Sequence, residues 1–428
     1  MLKSFFLLVS FLLALSLGCQ SQDLLASFND TATVNHAEVT STAAPVMKKN
    51  WNHFEGKNFS LNFGVAFILD HNIAVQDDNN ITQVGKVNAA TEFRGERFIV
   101  TGNLKFFKYP WRYMVSANFN GLDAPQGTKK FSFIDYNIEI PLGKTAGWLT
   151  LGKQKEGVGH EYVLPGTQAM FMERGSGAPM LVRQRNIGIR YSNSLKNNRM
   201  TFTFGLFNDF LESGLSFSEN GSQITTRLTL LPQYKTDANL LHLGLGYRYS
   251  DAKQGKLSYK AKPESNTAPS YINTGSFIAQ ASNTFMLEAI KVNGPVSLIA
   301  EYMVVSVHVP EKNPSFHYLH VGGSWFITGE NRRYNKTTGN LGKLIPKKNF
   351  KFRKGSGSGA FEVGARYTYL DANDQAIEGG QFGRLTGAVS WYPNAHFRFS
   401  VNYGHGKLDK NDIKGKADFW QFRAQFEL

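Results

Sequence analysis

Trp420-Gln421-Phe422-Arg423-Ala424-Gln425-Phe426-Glu427-Leu428 alternates without a break. Trp420, Phe422, Ala424, Phe426 and Leu428 form an apolar row, and Gln421, Arg423, Gln425 and Glu427 a polar one. A period of two marks a β-strand with unlike faces. The pattern returns upstream. Phe361, Val363, Ala365, Tyr367 and Tyr369 alternate with Glu362, Gly364, Arg366 and Thr368. Phe397, Phe399, Val401 and Tyr403 alternate with Arg398, Ser400 and Asn402, and Leu241 to Tyr249 behaves likewise. In a sandwich such apolar rows pack on a second sheet. In a transmembrane barrel they face lipid, and the polar rows face water. Arg and Glu at strand centres fit a wet interior. Trp111, Trp391, Tyr392 and Trp420 near strand ends fit interfacial girdles. The expected fold is all-β, a transmembrane antiparallel β-barrel closed by its last strand, because lipid permits no open edge.

Counting segments gives about sixteen strands, an even number as in single-chain bacterial barrels. They begin near Phe59, Thr91, Trp111, Lys130, Gly147, Gln184, Arg199, Ser222, Asn239, Phe277, Pro295, Phe316, Gly359, Gln381, His396 and Lys416. Short turns then fall on the periplasmic side, at Tyr109-Pro110, Leu195-Lys196-Asn197-Asn198, Asn293-Gly294-Pro295 and Pro393-Asn394-Ala395. Long connections fall on the other side, at 156–183, 251–276 and 372–380. The stretch 330–358, rich in Lys, Arg and Gly, breaks the rule. It is either a plug-like or partner-binding insertion, or it hides a strand pair.

The 428 residues are 19% charged and 13% aromatic, which excludes a disordered chain. Mean hydropathy is near neutral, as alternation produces. After the start, no apolar run is long enough for a spanning helix. Met1-Leu2-Lys3-Ser4, the apolar run from Phe5 to Leu17, and Gly18-Cys19-Gln20-Ser21 read as a signal peptide over 1–19. Export to a bacterial outer membrane follows. Cys19, the sole cysteine, precludes an internal disulfide. Leu17-Gly18-Cys19 matches the end of a lipoprotein cleavage box, with Ser16 where that box has Leu. Lipidation at Cys19 and ordinary cleavage beside it both stay open. Residues 20–57, polar and aperiodic, read as a flexible periplasmic extension. The barrel takes 58–428.

The formal net charge is +14. No compact basic motif accompanies it, so nucleic acid is not an expected partner. Alternation instead sends Arg94, Arg97, Lys105, Arg112, Arg190, Arg227, Arg248, Arg366, Arg384, Arg398 and Arg423 to the lumen. Rings of cations select anions in pores, and guanidinium forks match phosphate oxygens. Each arginine either meets the permeating ion or pairs with an acid such as Asp70, Glu92, Asp135, Glu139, Glu301, Glu362 or Glu427. The connection after the fifth strand carries Gly152-Lys153-Gln154-Lys155, Phe171-Met172-Glu173-Arg174 and Arg183-Gln184-Arg185. Its aromatics, methionines and paired charges suit a third loop folded into the barrel. Lys153, Lys155 and Arg174 are expected to help form a narrow cationic site there. Enzyme motifs are absent. His160-Glu161 lacks the second His of a zinc protease, and no Gly-x-Ser-x-Gly elbow occurs. No cofactor or metal is expected.

These motifs, with Arg185-Asn186-Ile187-Gly188, Thr328-Gly329-Glu330, Gly359-Ala360-Phe361-Glu362-Val363-Gly364-Ala365-Arg366-Tyr367 and Trp391-Tyr392-Pro393-Asn394, resemble the phosphate-selective porin O and P family. The resemblance runs from about Gly56 to Leu428, although Leu428 stands where an aromatic is commoner. It implies a sixteen-stranded homotrimeric porin with an inward third loop and an Arg/Lys path selecting phosphate or pyrophosphate. It would place Lys153, Lys155, Arg174, Arg183 and Arg185 in or beside the constriction, with Arg190, Arg366, Arg384, Arg398 and Arg423 along the path. The expected partners are inorganic phosphate or similar small anions and outer-membrane lipid. A structural or adhesion barrel of little conductance is the alternative, motivated by 330–358 and the long outer loops.

Overall fold

The computed structural model describes residues 51–119, 131–195, 197–351 and 357–428. The expected signal peptide, Cys19 and residues 20–50 of the extension lie outside the described residues. One sheet of seventeen strands contains the three-residue strand His53–Glu55 and sixteen long strands. In chain order the long ones are β1 (Phe59–Gln76), β2 (Ala90–Leu104), β3 (Trp111–Phe119), β4 (Phe131–Pro141), β5 (Trp148–Gln154), β6 (Asn186–Leu195), β7 (Met200–Phe207) and β8 (Gln223–Thr236). They continue as β9 (Asn239–Asp251), β10 (Ala281–Asn293), β11 (Val296–His308), β12 (Ser315–Phe326), β13 (Ala360–Asp374), β14 (Ile377–Tyr392), β15 (Phe397–Lys410) and β16 (Ile413–Glu427). Each is antiparallel to the next. β1 pairs with both β2 and β16, so the barrel is closed.

Alternation in the sequence becomes two faces. Leu385, Val389, Val401 and Trp420 are exposed on the outside, while Arg384, Thr386, Asn402 and Gln421 are buried within. Tight turns hold one-residue register on this pattern. The two-residue turn between β15 and β16 has left-handed Asn411 and Asp412, a conformation these side chains tolerate better than most.

Two expected boundaries differ. Phe277 belongs to a hairpin of Lys256–Ala261 with Ile272–Ile278, outside the barrel sheet, and β10 starts only at Ala281. The hairpin satisfies its hydrogen bonds locally, so the connection contains its own strand-like alternation. The stretch 372–380 is mostly strand. Asp374 pairs with Ile377 around left-handed Gln375, and Gly379 and Gly380 lie inside β14 rather than in a loop.

Three connections converge on the inner wall. From the 155–185 connection, Val158, Tyr162, Met180 and Leu181 share an apolar core with Tyr271, Met303, Phe316 and Phe419. Met170 and Phe171 join Leu240, Ile290, Tyr334 and Leu341. Glu264, between the paired strands of the 256–278 hairpin, bonds Thr368 Oγ1 at 2.5 Å on β13. The 330–351 stretch forms a ribbon, Tyr334–Asn335 with Asn340–Leu341, that pairs with itself. Arg227 on β8 donates to its carbonyls at Thr338 (2.9 Å) and Gly339 (2.7 Å). Among the described residues this stretch adds no barrel strand. Its described residues lie against Arg227 of β8.

Candidate functional site: a cationic group beside the 155–185 connection

The connection leaves β5 and is held along its length by donors from the opposite wall and from the 330–351 stretch. Irregular backbone shielded from water needs a partner for every carbonyl. Gln425 donates to Thr167 O (2.9 Å), Arg332 to Gln168 O (2.8 Å), and Arg398 to Ala169 O (2.5 Å) and Met170 O (2.7 Å). Arg423 reaches Met172 O (2.5 Å) and Arg366 reaches Glu173 O (3.0 Å). Arg423 also grips Asp70 at 2.6 and 2.7 Å. Arg366 pairs with Glu264, and Arg384 with the carbonyl of Pro263 and with Gln421. Close approach is part of the fit: a Cβ on Gly175 would stand 1.7 Å from Tyr318 Oη, so only glycine lets the chain pass there.

Arg366, Arg384, Arg398 and Arg423 are therefore nearly fully buried anchors. The expectation that they line an ion path differs from their placement. A guanidinium offers five donors in a fixed fork, which suits a run of buried carbonyls as well as it suits a phosphate.

The cations beside the wall formed by β2 to β6 behave otherwise. Arg94 pairs with Glu173 at 2.8 Å and Arg185 with Asp135 at 2.8 Å. Among the described residues, Lys155 Nζ donates only to Val163 O (2.9 Å). Arg174 donates to Glu161 O (2.6 Å) and Leu164 O (3.0 Å) and lies over the Tyr162 ring. Arg190 donates to Lys155 O (2.9 Å), and among the described residues Arg97 Nε has no hydrogen-bond partner. Among the described residues, no carboxylate forms an ion pair with Arg97, Lys155, Arg174 or Arg190. Lys155 keeps a partly exposed edge. The protein around its ammonium, then Arg174 and Arg185, hold it well below the usual lysine range. Burial lowers Arg174 in the same way.

A cavity of about 350 Å³ opens beside this group, lined by Arg94, Arg97, Lys153, Arg183 and Arg185 against Asp209 and Glu212. Arg183 is paired with Asp209. Lys153 Nζ contacts both Glu212 oxygens, at 2.7 and 2.8 Å, and Phe133 O at 3.0 Å. It shares its strand face with exposed Leu151, and its ammonium closes on the acid at the cavity's edge. The structure thus brings Lys155, Arg174, Arg185 and Arg190 together with Arg94 and Arg97, and sets Lys153 and Arg183 on acids of the 208–222 connection. Strand alternation already marked Arg94 and Arg97 as inward. Nothing in the sequence marked Asp209 and Glu212.

The model of the family described as phosphate-selective porin O and P matches residues 68–428. A protein of Caulobacter vibrioides is 27% identical over 276 residues, which are 61% of this chain and 54% of that protein. The chain thus spans about half the length of the curated relative it matches. Among solved structures, the anion-selective porin from Comamonas acidovorans superposes with a TM-score of 0.54 at 11% identity, covering 86% of this chain and 100% of that one. In vitro folded OmpT of Vibrio cholerae, in a trimer form, gives 0.53 at 12% identity, covering 87% and 100%. At such identities these two likenesses show the fold.

Proposed function

Because the chain belongs to the phosphate-selective porin O and P family, we propose that it is a passive channel that prefers anions, with phosphate or pyrophosphate as the permeant class. It is an outer-membrane porin, and a channel rather than an enzyme. One observation carries the anion preference: Arg97, Lys155, Arg174 and Arg190 crowd one wall without a carboxylate partner among the described residues. An anion shedding water needs donors to replace its hydration. Each charged hydrogen bond contributes about 1.5–3 kcal/mol, so a few suffice to compensate. Glu173 and Asp135, already bonded to Arg94 and Arg185, temper the field and keep release fast. The trimer form of the OmpT neighbour supports a homotrimer, with a pore in each barrel.

Planar-bilayer recording tests this. A reversal potential on the anion side is expected, with chloride current blocked by phosphate more strongly than by sulfate. Cation preference, or no discrimination by phosphate, removes the proposal. The filled lumen favours a second reading, a structural or adhesion barrel that conducts little. Closed channels in the same recording would support it.

A further inference from the structure

Glu301 on β11 and His320 on β12 are direct partners across the ladder, both inward and both buried. Glu161 reaches them from the short helix His160–Val163 at the start of the 155–185 connection. One donor atom of each lies within 4.8 Å of the others. His320 Nδ1 is 3.4 Å from Glu161 Oε1 and 3.9 Å from Glu301 Oε2. Two donors on a tetrahedral zinc ion, each about 2.0–2.1 Å from the metal, stand about 3.4 Å apart. The first separation already matches, and the second needs a shift of about 0.5 Å.

His320 supplies an independent sign. It is 3% exposed, its Nδ1 is aimed between two carboxylates, and among the described residues neither ring nitrogen makes a well-aligned hydrogen bond. Buried polar groups without partners are uncommon. The carboxylates are oriented from behind. Glu301 accepts from His160 N (2.6 Å) and Glu161 N (3.3 Å). Glu161 accepts from Gly175 N (3.2 Å) and Tyr318 Oη (3.2 Å). Such bonds steer metal-ligating groups in known sites. Arg366 lies 3.5 Å from Glu161 but also serves Glu264, and among the described residues no Lys or Arg pairs with Glu301.

We propose that Glu161, Glu301 and His320 bind a divalent transition metal of the zinc class, tying the 155–185 connection to the far wall of the barrel. One imidazole nitrogen and two carboxylates suit zinc better than calcium or magnesium, which take oxygen shells. Two ligands come from rigid strands and one from the connection, so the ion cross-links what hydrogen bonds elsewhere only latch. The site is independent of which anion permeates.

The test uses the full chain folded in detergent with EDTA, then supplied with zinc chloride, dialysed against metal-free buffer and analysed by mass spectrometry for metal. One zinc per chain is expected. His320→Gln and Glu301→Gln should lose it, with folding checked by heat-modifiable migration on gels. His405→Gln, which alters the exposed His405–Asp418 pair, should keep it. No retained zinc in the unmutated chain, or full zinc in folded His320→Gln, overturns the proposal. A second measurement needs no variant: zinc should slow protease cleavage within 155–185 about tenfold relative to EDTA. Equal rates also overturn it.

Discussion

Arg97 and Lys155 stand where a residue-scale test is sharpest. Neither has a carboxylate partner among the described residues, and neither anchors the barrel through a buried ion pair. Lys155→Glu should weaken phosphate block of chloride current by about 10- to 100-fold, the value of one charged hydrogen bond, and move the reversal potential toward cations. Lys153→Glu should do much less, because Lys153 is already paired with Glu212. Equal effects would place the site outside this group. The depressed lysine gives a sign for pH. As pH rises, Lys155 loses its proton before ordinary lysines do, so anion preference should begin to fall below their titration range. In Lys155→Met that early fall should vanish. The strand face of Lys153 was legible: it lies an even number of residues from Leu149 and Leu151. Charge in a promising motif obscured the simpler periodicity.

At the scale of elements, the wall-to-connection latch is the feature to break. Arg423→Met removes the donor to Met172 O and leaves Asp70 buried without its fork. Leaving a buried charge unpaired costs about 3–5 kcal/mol. The variant should lose heat resistance on gels and show noisier, larger conductance as the 155–185 connection loosens. Unchanged melting and current would mean that Arg398 and Arg366 suffice. Element reading from sequence succeeded where period and turn chemistry agreed, as at β1, β3, β9 and β16. It failed at Gly379-Gly380, which look like a turn but sit within a strand. The fate of Arg366, Arg398 and Arg423 was not legible. Alternation sends them inward, but it cannot say that a carbonyl of another segment waits there. The acid partners Asp209 and Glu212 come from a connection whose shape depends on the whole barrel.

Across the whole molecule, the +14 charge acts over longer distances than any contact. Screening reaches about 10 Å at 0.1 M salt and about 3 Å at 1 M. General anion preference should therefore shrink between those concentrations, while phosphate block, made by direct hydrogen bonds, should persist. Reversal potentials and block measured at both salts separate the two. If block disappears with preference, no local site exists and the field alone selects.

The closing seam has a consequence in time. Phe67 on β1 is paired with Phe426 on β16, across nearly the full sequence. β1 cannot complete its second ladder until β16 has been synthesised and brought beside it. The barrel therefore cannot mature strand by strand as it emerges. Until then its first strand has an unmet edge, where pairing with another chain is the standing hazard.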